Sequence, residues 1–153
     1  MLYRCDPDGN PRHLSVAIKK HNYRLPYHRI FGGITQLPGD KFEHINGYPN
    51  QYWGWGGEDD DMWSRTFEYG KYKLSRPDGH IAHWKMVKHS TEKENKVNPQ
   101  RFSLLGSWAR MRSTHGIKQL EYSITEREMY NTFEKITVDI NAPKDNQEQH
   151  NVN

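Results

Sequence analysis

The stretch "YWGWGGEDDDMW", residues 52–63, places three tryptophans and two glycine-rich turns beside four consecutive acids. Adjacent carboxylates repel one another and favour solvent, whereas indole side chains favour burial, so stability alone does not explain the combination. Acids at 58–61 also suit the first turn of a helix, where the helix dipole stabilises each by about 0.3 to 1 kcal/mol. Because sugar rings stack on indole and donate hydroxyl hydrogens to carboxylates, the stretch favours a carbohydrate site.

One of these carboxylates is a candidate general base. Crowding by like charges raises a carboxylate pKa toward the range in which the group takes a proton from an acceptor hydroxyl. A helix is predicted to carry the acids, from Asp59 to Tyr69, with Gly70 at its end.

Composition limits the classes of protein to which this chain can belong. Of its 153 residues 33% are hydrophobic and the mean hydropathy is −1.09, low for a chain that buries its own core, so a fragment of a larger fold is predicted. The net charge of +3 and the scattered basic residues give no support to nucleic-acid binding. No apolar run approaches the roughly 20 residues that span a bilayer. Cys5 stands alone, which excludes a disulfide within the chain.

Alternation and turn residues predict the other elements. A short helix is expected over residues 38–47, with Gly47 at its end, and a helical segment over 101–111. Residues 90–99 are charged and without periodicity, which predicts a mobile loop. Strands are predicted at 13–20, at 30–37 with a bend at Gly32 and Gly33, and at 71–77, 81–89, 117–128 and 133–140.

Two further constellations have competing interpretations. His80, His83, Met86 and His89 recur at a spacing of three, but strand alternation divides them between two faces, which disfavours a four-ligand metal or zinc site. Arg101 and Phe102 suit either a lid that closes over a ligand or the start of a packed helix.

The motifs "FGGI", "INGYPNQYWGWGGEDDD", "SRP", "MVKHS", "NPQRF" and "ITVDI" occur in the order and approximate spacing of the animal β-1,4-galactosyltransferase family, which residues 3–140 resemble. The resemblance implies an α/β fold, the C-terminal portion of a GT-A (Rossmann-like mixed sheet) glycosyltransferase. Residues 1–141 are then the catalytic region and 142–153 a disordered tail. It also implies inverting transfer of galactose or GalNAc from a UDP-sugar, UDP-Gal or UDP-GalNAc, to a terminal GlcNAc of a glycan, with manganese.

By the same resemblance, each motif implies roles for particular residues of this chain. Asp59 is the base that deprotonates the acceptor hydroxyl, and Trp55 lies on a mobile small loop. The lid corresponds to residues 87–106, and Met86 and His89 are metal ligands, although a thioether suits manganese poorly. The sugar-binding residues implied are Tyr27, Ile30, Gly57, Glu58, Asp60, Arg101, Phe102 and Leu105.

Ile30 bears on the choice of donor. Galactose-specific members carry tyrosine before "FGG", and an aliphatic side chain there leaves room for an N-acetyl group, so GalNAc transfer is favoured with galactose as the alternative.

The family's Asp-x-Asp motif, its uridine-binding half and its membrane anchor precede the region matched here. Manganese is therefore expected to need a further aspartate, and a Golgi location, on the lumenal side of the membrane, to depend on an anchor. A truncated, non-catalytic carbohydrate-binding remnant is the alternative function.

Overall fold

The computed structural model describes residues 4–87 and 95–142. The chain divides into two compact units with the boundary after Lys118, and each is described by itself. Within the described ranges, no helix combines the length and apolar character that crossing a bilayer requires. The predicted tail begins at residue 142 and lies almost wholly outside these ranges, so the assignment of 1–141 and 142–153 stays a prediction.

The strands of the first unit are short. β1 (Arg12–His13) pairs antiparallel with β3 (Thr35–Gln36), and β2 (Ala17–Ile18) pairs parallel with β4 (His83–Trp84). The strand predicted at 13–20 was wrong as a continuous element, because residues 14–16 separate β1 from β2 and a 3-10 turn follows at Lys19–His21.

Two other strand predictions were too long. At 30–37 only β3 forms, because the carbonyls of Ile30 and Gly32 accept hydrogen bonds from side chains instead of a neighbouring strand. At 71–77 a single bridge joins Ser75 to Arg12. Of 81–89 only β4 is a strand within the described residues, which end at 87 before the gap.

Helix α1 (Gly39–His44) confirms the prediction for 38–47. Gly47 has a φ of +59° and its N–H donates to the carbonyl of Phe42 at 2.8 Å, which closes the end of the helix. Helices α3 (Arg101–Gly106) and α4 (Trp108–Met111) confirm the helical prediction for 101–111, and a 3-10 turn follows at Ile117–Gln119.

Helix α2 (Glu58–Trp63) carries the acids and continues into a π-helix at Ser64–Tyr69. The predicted extent was therefore nearly correct, but the hydrogen bonding changes midway. The N–H of Gly70 donates to the carbonyl of Arg65, five residues earlier, at 2.9 Å. Such π segments widen a helix locally and are frequent at functional sites.

The main core lies against α2. Met62 and Trp63 are buried with Phe31 and Ile45, whereas Glu58 at the other end of the helix is exposed. Ring contacts join Trp63 to Phe67 at 4.5 Å between centroids. Burial of this apolar side anchors α2 and so fixes the place of the acids.

The second unit is an antiparallel hairpin of β5 (Ser123–Met129) and β6 (Glu134–Asp139). The strand predicted at 133–140 is confirmed. The one predicted at 117–128 begins only at Ser123, because the preceding residues include the 3-10 turn.

Candidate active site

Glycine conformation sets the start of the acid-bearing helix. Gly57, immediately before α2, has a φ of +97°, in the left-handed region that favours glycine. A Cβ at Gly57 would also lie 2.7 Å from the ring of Tyr52. The turn before α2 therefore depends on glycine, and it leads the chain directly into Glu58 and Asp59.

The last of the four acids is structural. Asp61 is 0% exposed, and its Oδ1 accepts from Nε of Arg65 at 2.7 Å while its Oδ2 accepts from the Tyr52 hydroxyl at 3.0 Å. Arg65, also buried, donates from Nη1 to the carbonyl of Gly47 at 3.2 Å. Because both charges are buried and paired, removing either one would leave the other uncompensated in the interior.

Asp59 has the environment of a proton acceptor. Burial, followed by the negative charges of Asp60 and Glu58, raises the pKa of its carboxyl above the ordinary value. One carboxylate oxygen accepts the N–H of Asp60 at 3.1 Å. The carboxylate lies so close to Gly32 that a Cβ there would overlap its Oδ2 and lie 3.3 Å from its Cγ.

Asp60 faces an open cavity of about 580 Å³. Tyr27 donates its hydroxyl hydrogen to Oδ1 of Asp60 at 3.1 Å. The two residues are 33 apart in sequence, so the sequence alone gives no signal for this contact. Burial and the neighbouring acids raise the pKa of Tyr27, so the phenol stays protonated at neutral pH. Phe102 and Leu105 of α3 line the same cavity, which thus brings together four of the residues singled out from sequence.

Arg101 lies close to the glycine turn and also contacts Phe102, a residue of the cavity wall. Its guanidinium is 4.4 Å from the ring centroid of Phe102 and its Nη1 donates to the carbonyl of Asn98 at 3.1 Å. A Cβ at Gly56 would lie 3.0 Å from Cδ of Arg101. Phe102 itself is 70% exposed, so its ring is open to a ligand in the cavity.

Trp55 is 59% exposed and joins the glycine-rich turn to the segment before α3. Its N–H donates to the carbonyl of Lys96 at 2.9 Å, and its carbonyl accepts from the N–H of Asn98 at 3.0 Å. The predicted small loop and the middle of the predicted lid are therefore paired through their backbones. Trp55, Ile30, Gly57, Glu58, Asp59 and Arg101 are not among the residues that line the cavity.

Sequence reasoning missed five residues of the cavity wall: Arg29, Ser64, Glu68, Gly106 and Trp108. Arg29 forms an ion pair with Glu68. The spacing of Ser64 and Glu68, four residues apart on a helix, was a usable signal for a shared face. Arg29 and Trp108 reach the cavity only through tertiary packing.

The predicted pair of metal ligands, Met86 and His89, stays a prediction. Met86 is 45% exposed, and His89 lies outside the described ranges. Across 4–87 and 95–142 there is no group of three or more histidine, cysteine, aspartate or glutamate side chains able to hold a metal ion. A lone thioether suits manganese poorly, because that ion prefers carboxylate and water ligands, so Met86 would need His89 and a further carboxylate beside it.

The chain is similar in sequence to glycosyltransferases. A family model described as the N-terminal domain of galactosyltransferase matches residues 12–90. Beta-1,4-galactosyltransferase 3 of Bos taurus and that of Homo sapiens are each 46% identical over 139 residues, 91% of this chain and 35% of the relative. Beta-1,4-galactosyltransferase 2 of Cricetulus griseus is 45% identical over 142 residues, 93% of this chain and 38% of the relative.

Solved structures agree at the level of the fold. Drosophila beta-1,4-galactosyltransferase 7, a mutant in complex with manganese, UDP-Gal and xylobiose, matches with a TM-score of 0.66 and 19% identity over 97% of this chain and 64% of that chain. The catalytic domain of the same Drosophila enzyme in complex with xylobiose matches with a TM-score of 0.60 and 20% identity, over 99% and 66%. The fold is α/β and part of a GT-A glycosyltransferase.

The chain spans about a third of the length of the curated relatives it matches. The matched family model nevertheless covers more than half of the chain, including β1, the glycine-rich turn and the acids of α2. The chain belongs to the β-1,4-galactosyltransferase family.

Proposed function

We propose that this chain is the acceptor-binding and catalytic part of an inverting glycosyltransferase, which moves galactose or GalNAc from a UDP-sugar to the 4-hydroxyl of a terminal GlcNAc. The observation that carries the proposal is Asp59, a partly buried carboxylate of raised pKa, next in sequence to a residue of the open cavity. That cavity contains both an aromatic ring, Phe102, and an acid, Asp60, which are the two features that a sugar site needs.

In the proposed reaction Asp59 is the general base. As the acceptor 4-hydroxyl oxygen attacks the anomeric carbon of the donor, Asp59 takes its proton, the bond from that carbon to UDP breaks, and UDP leaves with the electron pair. Attack from the face opposite UDP inverts the anomeric configuration and needs only one base. The raised pKa strengthens the carboxylate as a proton acceptor.

The cavity residues have a separate role in holding the acceptor. The ring of Phe102 offers an apolar face, and the Tyr27 hydroxyl with Asp60 offers hydrogen bonds to sugar hydroxyls. Leu105 supplies apolar contact at the same wall. A volume of about 580 Å³ lies within the range of ordinary ligand pockets, roughly 300 to 1,000 Å³.

The proposal extends to the donor sugar through Ile30. This half-buried aliphatic side chain is adjacent in sequence to buried Phe31, and it lacks the hydroxyl and ring that would compete with an N-acetyl group. We therefore favour UDP-GalNAc over UDP-Gal. Ile30→Tyr is expected to shift the ratio of kcat/KM for the two donors toward UDP-Gal by about tenfold, the scale of one pocket contact. A ratio that stays the same contradicts this choice.

Manganese, the Golgi lumen and a membrane anchor complete the proposal. The Drosophila relative was solved with manganese and UDP-Gal, and Met86 and His89 are the ligands proposed from this chain. Isothermal titration of the polypeptide with Mn²⁺, before and after Met86→Ala, tests the ligand set. Imaging of a tagged protein in its own cells tests the location.

The decisive experiment uses the polypeptide encoded by the complete natural transcript, called the full-length polypeptide below. Transfer from UDP-GalNAc and UDP-Gal to a GlcNAc-terminated saccharide is measured with Mn²⁺ by mass spectrometry. Asp59→Asn is expected to lower the rate of transfer by about 100- to 10,000-fold, the usual contribution of a general base, and Asp40→Asn, an exposed acid of α1, to leave it unchanged. Absence of transfer by the unsubstituted polypeptide, or full activity in Asp59→Asn, refutes the proposal.

A carbohydrate-binding remnant without catalysis is the second candidate. It is favoured by the open cavity, whose wall includes the ring of Phe102 and the Asp60 and Tyr27 side chains that can hold a saccharide without any transfer step. Saccharide binding without transfer, weakened about tenfold by Phe102→Ala, would support it. An upstream transcript sequence that encodes an Asp-x-Asp motif in frame would favour the enzyme.

A further inference from the structure

Residues 28–32 run beside the proposed site without the support of a strand. This segment, called the carbonyl segment below, includes Ile30 and Gly32. No residue in it is assigned to a strand or helix, yet the carbonyls of His28, Ile30 and Gly32 all accept hydrogen bonds from side chains. The side chains that donate those bonds therefore help to hold the segment, together with the burial of Phe31 in the core.

Arg76, from the "SRP" motif, supplies two of the three bonds. Its Nη2 donates to the carbonyl of His28 at 2.8 Å and to that of Ile30 at 2.9 Å. The guanidinium carbon lies 5.8 Å from the ring centroid of Trp63, a core residue of α2. A planar guanidinium holds several acceptors in a fixed geometry, which a lysine ammonium does not reproduce.

His13 supplies the third bond and links it to Arg76. The side chain is 0% exposed, and its Nε2 lies 3.0 Å from the carbonyl oxygen of Gly32. Nε of Arg76 donates to Nδ1 of His13 at 3.3 Å. A carbonyl only accepts and an arginine only donates, so the proton of His13 must be on Nε2 and the imidazole must be neutral. Burial and the Arg76 charge lower the pKa of His13 to about 4, which is consistent with a neutral imidazole.

The carbonyl segment touches the proposed base directly. Gly32 packs against the Asp59 carboxylate so closely that no Cβ fits between them, and Gly32 is the residue whose carbonyl His13 holds. Ile30, whose carbonyl Arg76 holds, is the proposed determinant of donor choice. The hydrogen-bonded side chains of Arg76 and His13 thus hold the backbone next to the proposed base and the backbone of the donor-selecting residue.

We propose that Arg76 and His13 are positioning residues for sugar transfer, which hold the carbonyl segment so that Gly32 seats Asp59 and Ile30 faces the donor. The inference rests on the proposed function, and it adds two residues that touch neither sugar. Displacement of the segment changes the angle at which Asp59 meets the acceptor hydroxyl, and it changes the room beside Ile30.

A purely structural role makes a different prediction. If Arg76 only stabilised the core through Trp63, its substitution would reduce the fraction of folded protein and lower transfer from both donors in proportion. A positioning role changes kcat and donor choice in protein that remains folded. The two roles therefore separate at a temperature well below the unfolding transition.

The test compares Arg76→Lys, His13→Gln and His13→Leu in the full-length polypeptide. Arg110→Lys, on the exposed face of α4, is the control for the substitution, and Ile45→Val, in the core, is the control for lost stability. For each variant, kcat and acceptor KM are measured with both donors. Amide hydrogen exchange over residues 28–34 reports the carbonyl segment itself.

Arg76→Lys and His13→Leu are expected to lower kcat about 10- to 100-fold, with acceptor KM changed less than about threefold, because misplacement by an ångström has that effect. The donor ratio shifts by at least about threefold and exchange in 28–34 becomes faster. His13→Gln, whose amide both donates and accepts, is expected to recover most of the loss. Neither control changes the donor ratio, and Arg110→Lys leaves the exchange unchanged.

An active unsubstituted polypeptide whose Arg76→Lys and His13→Leu variants keep their donor ratio, kcat and exchange rates would overturn the inference and leave the proposed function intact. So would a loss of kcat equal to that of Ile45→Val with the same donor ratio. An unsubstituted polypeptide that transfers neither sugar refutes the proposed function, and the inference fails with it.

Discussion

Gly32→Ala tests how closely Asp59 is constrained. The backbone of Gly32 is outside the left-handed region, so alanine meets no conformational strain there. Its Cβ, however, would overlap Oδ2 of Asp59, and the oxygen has to retreat by about 1 Å to reach an ordinary contact of 3.4 Å. A displacement of this size costs about 100-fold in rate, equivalent to about 2.7 kcal/mol in the activation free energy.

The assay is steady-state transfer to a GlcNAc saccharide, with acceptor affinity measured separately by isothermal titration. Gly32→Ala is expected to lower kcat about 100-fold and to leave acceptor affinity within about threefold, because the cavity wall is unaltered. Gly39→Ala is the matched control, since a Cβ at that position meets nothing within 4 Å. It should retain full activity.

A double-mutant cycle shows whether the loss acts through Asp59. In an Asp59→Asn background, Gly32→Ala should add little further loss, because the group that it displaces no longer accepts the proton. The reasoning is refuted if Gly32→Ala keeps kcat within about threefold of the unsubstituted value, or if the two losses are fully additive.

Three further predictions concern stability and binding. Asp61→Asn leaves Arg65 buried without its counter-charge, so the free energy of unfolding in urea should fall by about 3 to 5 kcal/mol. Glu58→Gln, at an exposed position, should change it by less than about 0.5 kcal/mol. A loss below about 1 kcal/mol for Asp61→Asn contradicts the role of the pair. Phe102→Ala should weaken saccharide binding about tenfold in isothermal titration with an unchanged melting temperature, because its ring is exposed, and equal affinity would exclude it from the acceptor site. The pKa of His13 falls from 6.5 to about 4 on folding, so its neutral form contributes stability above pH 6.5. As the pH falls to 4, the free energy of unfolding should decline by about 3 kcal/mol more than that of His13→Gln. Parallel pH profiles for the two proteins would contradict this.

Local signals predicted the helices well. The start of α1 follows Pro38 and its end is closed by Gly47, and the acids with Gly70 bracket α2 and the π-helix. These signals act within a few residues and need no partner elsewhere in the chain. The change to π-helical hydrogen bonding after Trp63 was not predicted, because no sequence pattern in this stretch distinguishes an α-helix from a π-helix.

Strands were predicted less well for the opposite reason. An apolar, β-branched run becomes a strand only if another backbone pairs with it, and that partner is decided by the tertiary fold. Over residues 30–37 the side chains of Arg76 and His13 take the carbonyls that a neighbouring strand would bind, so only Thr35–Gln36 pairs.

By itself the sequence determined the family, the helix that carries the acids and the glycine turn before it, because these depend on residue type and short spacing. Only the tertiary structure decided where each of the acids lies and what it contacts. Asp61 is buried against Arg65, Asp60 meets Tyr27 at the cavity, and Asp59 packs against Gly32. The physical reason is that a pKa depends on burial and on charges brought near by folding, and four adjacent acids look alike until their neighbours are known.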